Sequence, residues 1–228
     1  MFGFFKKKNK PKESEVQQPQ ASKYHFKWYD IGPENPFNKR LLDCRSLTES
    51  MLSATSDESI ARSFAHQRHS IGEEFVGFEF NRKASLPVHL VYPHNGSKIE
   101  GAAYKAKSME DKWDIYAWNN IFYFVRSWTG KIEYKAFFAA SENTFLIDKI
   151  EYDSAEHANE DSTIIENNVH FLLMTLAFGR IYPHKVPKTI TGDENIALYS
   201  FALFGRNCWY ATYEDITDTT ITTRPQNT

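Results

Sequence analysis

The stretch KWDIYAWNNIFYFVRSWTGKIEYKAFFAASENTFLIDKIEY, Lys112–Tyr152, decides the fold class. Four runs rich in aromatic and β-branched residues, Trp113–Trp118, Ile121–Trp128, Lys131–Ala139 and Thr144–Tyr152, are parted by Asn119-Asn120, Thr129-Gly130 and Ser141–Asn143. Asn and Gly tolerate the positive φ that tight hairpin turns demand, so the pattern predicts a four-stranded antiparallel meander. Connections this short cannot carry parallel crossovers. If the first two turns have two residues each, Trp113 faces Arg126 and Arg126 faces Glu133. That register places Ile115, Phe124 and Lys135 on the same face, and Tyr116, Tyr123 and Ala136 on the opposite one. Arg126 is then held between an indole and a carboxylate, a cation–π contact combined with a cross-strand charge pair.

Upstream of the meander, period-two runs at Phe75–Phe80, Val88–Tyr92 and Ile99–Lys105 read as further strands. Before them, Asn35 and Pro36 suit the start of a helix carrying Leu41, Leu42, Leu47, Met51 and Leu52. A second helix is expected from Ser56 or Asp57 to His69, with Ile60, Ala61, Phe64 and Ala65 on its apolar face and Gly72 as its stop. Downstream, Thr163 and Glu166 have capping-box spacing before a long apolar helix that runs to Phe178 and packs across the sheet. Residues 180–192 read as a loop. Residues 194–204 fit helix or strand, and Thr191 with Glu194 and Gly205 favours helix. Cys208–Tyr213 reads as a last strand. The expected class is therefore α+β: a mainly antiparallel sheet with a central four-stranded meander, two N-terminal helices and a long apolar helix on one face.

The chain divides into a head and linker, residues 1–23, a single domain, residues 24–216, and a polar tail, residues 217–228. Its 228 residues suit one domain, and 18 Phe, 12 Tyr and 5 Trp supply a sizeable core. The first twelve residues hold five lysines and no acid, which leaves 22 basic against 29 acidic residues in the rest. Residues 13–23 carry only Val16 as an apolar side chain larger than alanine, too little to offset the entropy of ordering them. Phe2, Phe4 and Phe5 precede Lys6, Lys7 and Lys8, the reverse order of a secretory signal, and glycine stands at position 3 rather than at the myristoylation position. An aromatic-then-basic peptide suits an anionic membrane surface. The acidic body speaks against duplex nucleic acid, which calls for a basic stripe. Two cysteines, Cys44 and Cys208, are too few for a disulfide framework and point to a reducing cytoplasm.

Chemistry-bearing patterns are sparse. His66 and His69 stand three apart with Glu73 and Glu74 beyond, yet Gly72 interrupts the helix and no metal is expected. Neither cysteine has a base nearby in sequence. Phosphate-binding glycine loops and the Gly-x-Ser-x-Gly elbow are absent, so no cofactor is expected. The candidate ligand contacts are cationic: Arg180, His184, Lys185 and Lys188 within a proline-stiffened loop, joined by Arg126 and Arg206 if the loop folds against the sheet rim. Arg180 and Lys185 are otherwise expected to neutralise the C-terminal end of the preceding helix. The functional expectation is a non-enzymatic cytoplasmic module that binds a protein or a small anion. The alternative is a small hydrolase with a site assembled from scattered polar residues.

Overall fold

The structure, a computed structural model, describes residues 22–158 and 160–217. The expected basic head, with Phe2, Phe4, Phe5 and Lys6–Lys8, and nearly all of the polar tail lie outside the described residues. In chain order the elements are β1 (Lys27–Tyr29), β2 (Leu41–Asp43), α1 (Arg45–Thr48), α2 (Glu58–His69), β3 (Lys83–Pro93), β4 (Gly101–Tyr104) and β5 (Trp113–Trp118). They continue with β6 (Ile121–Arg126), β7 (Ile132–Ala140), β8 (Thr144–Asp153), α3 (Ser162–Leu172), β9 (Pro183–Lys185), α4 (Asp193–Phe204) and β10 (Tyr210–Thr212). The class is α+β. A six-stranded antiparallel sheet runs β3-β8-β7-β6-β5-β4, and a small sheet runs β1-β2-β10-β9, parallel only between β9 and β10. Among the described residues no helix is long and apolar enough to cross a membrane.

The four expected meander strands are β5 to β8. Asn119 and Asn120 both take positive φ, as a two-residue primed turn requires, and Trp113 pairs with Arg126 as the spacing predicts. The second turn differs. Gly130 has φ +70°, Arg126 N donates to Lys131 O, and Val125 pairs with Ile132 while Phe124 pairs with Tyr134. The loop is longer than two residues, so Lys135 and Phe137 move to the face of Tyr116 and Tyr123, while Ala136 and Phe138 join Trp113, Ile115 and Phe124 in the main core. A one-residue slip changes the face of every following side chain. Glu133 is the bulged residue, and the bulge turns it back towards Arg126.

Several local expectations yield to tertiary pairing. The helix expected from Pro36 is replaced by β2 and the short α1, because Leu41 and Leu42 are both buried and β2 is paired on both sides. Asn35 serves the loop instead of a helix start: its amide donates to Lys39 O at 2.6 Å and its Oδ1 accepts from Phe37 N. Phe75–Phe80 is not a strand. Glu73–Phe75 forms one 3-10 turn, and Phe75 and Phe80 pack on Tyr116, Tyr123 and Val125, covering part of the sheet's second face. The α2 helix begins at an Asp57 cap as expected, yet its only buried residue is Gln67, so its apolar stripe is not its packing face.

The α3 helix is capped by Asp161, whose side chain accepts from Thr163 N, rather than by Thr163. It is not one long apolar α-helix: Leu173–Ala177 is π-helical, and Asn167, Asn168 and His170 are buried with its apolar side chains. The ambiguous segment is helix α4, with Gly192 at its N-cap instead of a Thr191 capping box. Its Phe204 belongs to the main core, whereas Ile196, Ala197 and Phe201 pack with Leu42, Val186 and Ala211 of the small-sheet side. The two cores therefore share one helix.

Candidate functional site

Arg126 is the expected site residue around which charge gathers. Its guanidinium lies 4.4 Å from the Trp113 ring, and its Nη1 donates to Leu203 O at 2.7 Å. Trp113 Nε1 donates to the same carbonyl, also at 2.7 Å. Leu203 is in the last turn of α4, where carbonyls lack helical partners and carry negative partial charge. Gly205 ends that helix at φ +84°, and a Cβ there would meet Glu110 O at 2.1 Å. The close approach explains why glycine stands between Phe204 and Arg206.

On its other side Arg126 Nε is 3.7 Å from Glu133 Oε1. Lys131 Nζ lies 3.4 Å from the same oxygen, and His157 Nε2 is 3.6 Å from Glu133 Oε2. His157 Nδ1 in turn sits 3.1 Å from Glu160 Oε2. The imidazole is wedged between Tyr134 and Tyr152, with ring centroids 5.1 and 5.6 Å away, and Asn168 Nδ2 donates to Tyr134 Oη at 3.3 Å. The β7 bulge supplies Glu133, and the turn after β8 supplies His157 and Glu160.

Burial opposes the charge on His157, but Glu133 and Glu160 outweigh it and raise its pKa to about 9. Burial also opposes the charge on Glu133, yet His157, Lys131 and Arg126 hold its carboxyl below the ordinary range. Arg126 is pushed down by burial but remains a cation. At neutral pH the group is thus a chain of alternating charges, with an imidazolium between two acids. Such a histidine is an acid, not a base, and it offers substrate little access at 7% side-chain exposure.

The other expected contacts are distributed. Arg206 Nη2 pairs with Glu110 Oε2 at 3.3 Å, whereas Arg126 pairs with Glu133, so the two arginines are held by different carboxylates. Glu110 is held down to about 2, chiefly by the N–H of Ser53. Residues 183–185 are strand β9, not loop. The strand returns alongside α3, so Lys185 reaches the helix start instead of its end, donating to Thr163 Oγ1 at 2.7 Å and Asp215 Oδ1 at 2.8 Å. Arg180 and Lys188 are exposed and do not join Arg126.

His184 is no cation. It is 1% exposed, burial drives its pKa down to about 3, and its Nε2 lies 2.8 Å from Ser200 Oγ. Cys44 Sγ is 3.9 Å from the same hydroxyl. The Ser200 hydroxyl donates to Ile196 O at 2.6 Å, which takes the one proton a base would remove, and all three residues are sealed in the core. Burial pushes the Cys44 thiol up to about 12 and raises Cys208 as well, so both are unreactive thiols. Among the described residues no three His, Cys, Asp or Glu side chains form a metal-binding set.

Arg126 and Glu133 are readable from strand register, whereas His157, Glu160, Ser200 and the pairing of His184 are not. The three-residue spacing of His157 and Glu160 in an acidic loop was an available signal; the His184–Ser200 contact had none. The chain matches no protein-family model, no curated protein and no solved structure.

Proposed function

We propose that the protein is a non-enzymatic cytoplasmic interaction or ligand-binding module, held near anionic membrane by its basic head. Its contact surface is the uncovered part of the six-stranded sheet's second face. The observation that carries this reading is the open surface on that second face, on the side of the sheet away from the Arg126 cluster, which lies over Trp113 of the main core. Val76 and Phe78 are 42% and 39% exposed. Lys135 Nζ donates to Phe78 O at 2.9 Å and lies 5.6 Å from the Phe137 ring, so these features adjoin. Next to them Ser85, Pro87, Phe137, Asp148 and Lys149 line a concavity of about 500 Å³. Exposed apolar surface with a charged rim is the usual mark of a protein contact. Pro87 and Pro93 interrupt the donors of edge strand β3, which favours docking on the face over addition of a strand.

The test compares the full chain with Val76→Asp/Phe78→Asp in affinity purification from native cytosol, after checking that both melt alike. A partner retained by the parent and lost by the folded variant supports the reading. Identical captures, or none by the parent, defeat it. The hydrolase alternative draws on the Glu133–His157–Glu160 arrangement; it requires turnover of p-nitrophenyl phosphate that Glu133→Gln abolishes, and none is expected.

A further inference from the structure

At the end of the sheet opposite the Arg126 cluster, the β5–β6 turn, the β7–β8 loop and residues 94–100 enclose a cleft of about 640 Å³. That volume lies within the range of small-molecule sites. Ile99, Phe138 and Ala140 supply apolar lining; His94, Asn119, Asn120 and Glu142 supply polar groups. The walls are fixed by backbone chemistry. Asn119 and Asn120 are locked at φ 51° and 60°, His94 N donates to Asn143 O at 2.7 Å, and Ser141 Oγ bonds Thr144 O at 2.9 Å. Asn95 Oδ1 accepts from Ser97 N and Ser97 Oγ, which holds the third wall.

Within this rigid frame the carboxamides of Asn119 and Asn120 and the imidazole of His94 take no part in any hydrogen bond among the described residues. Each can both donate and accept. The one cation in the lining, Lys98, is paired with Glu100, and Glu142 adds a further carboxylate. An anion would meet two carboxylates and no free ammonium group. A ligand rich in hydroxyls suits the cleft better, because each hydroxyl both donates and accepts and carries no charge to repel.

We propose that the cleft bounded by Asn119, Asn120, His94 and Phe138 binds an uncharged saccharide. Its hydroxyls bond the two carboxamides and the imidazole, while its apolar C–H face lies on Ile99 and Ala140. The site is independent of the protein-docking face, so either reading can fail alone.

The experiment is a titration of the full chain with glucose and with N-acetylglucosamine, followed by amide chemical shifts, with inorganic phosphate as the contrasting probe. The expected result is a saturable shift confined to residues 94–100, 119–120 and 138–142 with at least one sugar and none with phosphate. Asn120→Gly is the informative variant, because Asn-Gly is the preferred pair for this turn and the backbone is retained. It should weaken binding about tenfold, the loss of one net hydrogen bond. Absence of a saturable shift with both sugars, shifts elsewhere, the same shifts with phosphate, or unchanged affinity in the folded Asn120→Gly variant would overturn the proposal.

Discussion

At the scale of single residues, the bulge in β7 has the largest effect on chemistry. A regular strand would have placed Glu133 directly opposite Arg126. The longer turn slips that register, and the bulge then brings the carboxylate back to the same side, so the contact survives although the pairing does not. His157 completes the arrangement and makes stability depend on pH. Its pKa rises from 6.5 in the ordinary state to about 9 in the fold. The stabilisation is therefore fully present below about 6.5 and is lost as pH rises through about 9. The coupled acids share in the effect, so its size is about 1–3 kcal/mol. Urea unfolding at pH 6 and pH 9.5 should show the parent losing this amount, while His157→Gln is less stable at pH 6 and nearly level between the two. An unchanged slope in the variant would remove His157 as the titrating group.

At the scale of elements, α2 shows how a helix is fixed by its polar side. Arg68 Nη2 pairs with Asp114, which is fully buried on β5, and Arg68 Nη1 donates to Ala106 O. Asp114 Oδ1 accepts from Ala106 N at 2.7 Å. Lys105 Nζ donates to Gln67 O, to Ser70 O at 2.8 Å and to Tyr116 Oη at 2.8 Å, closing the helix end onto the sheet. Burial raises the Asp114 pKa against these partners. The apolar residues that made this helix legible are peripheral: Ala61 and Ala65 are exposed and Ile60 is half-buried. Arg68→Met should cost about 3–5 kcal/mol, because it leaves a buried carboxylate without its ion pair. Ala65→Ser should stay within about 0.5 kcal/mol. Denaturant titration of both variants checks this contrast, and equal effects would show that the apolar stripe holds the helix after all.

At the scale of the whole molecule, α4 joins two cores and the charge is divided between head and body. Five lysines in the first twelve residues precede a remainder with 22 basic and 29 acidic residues. Lysines near an anionic surface contribute about 1 kcal/mol each, and salt screens them. Co-sedimentation with phosphatidylserine vesicles should retain the full chain at low salt and release it as salt rises, while a chain beginning at Ser22 stays in solution. Equal binding by both chains would refute a role for the head. The meander, the first hairpin register, the Asp57 cap and the α+β class were legible in the sequence, because turn residues and alternation act over a few neighbours. The gathering of charge around Arg126 was half legible, since Trp113 and Glu133 lie on adjacent strands whereas His157 arrives from a loop beyond β8. What the tertiary structure alone decided was β2 in place of a helix, β9 in place of a loop, the π-helical end after α3 and the enclosure of His184 with Ser200. Each of these depends on partners far along the chain: β2 is a strand because β1 and β10 take its backbone hydrogen bonds, and His184 is neutral because the core formed around it leaves its charge no water.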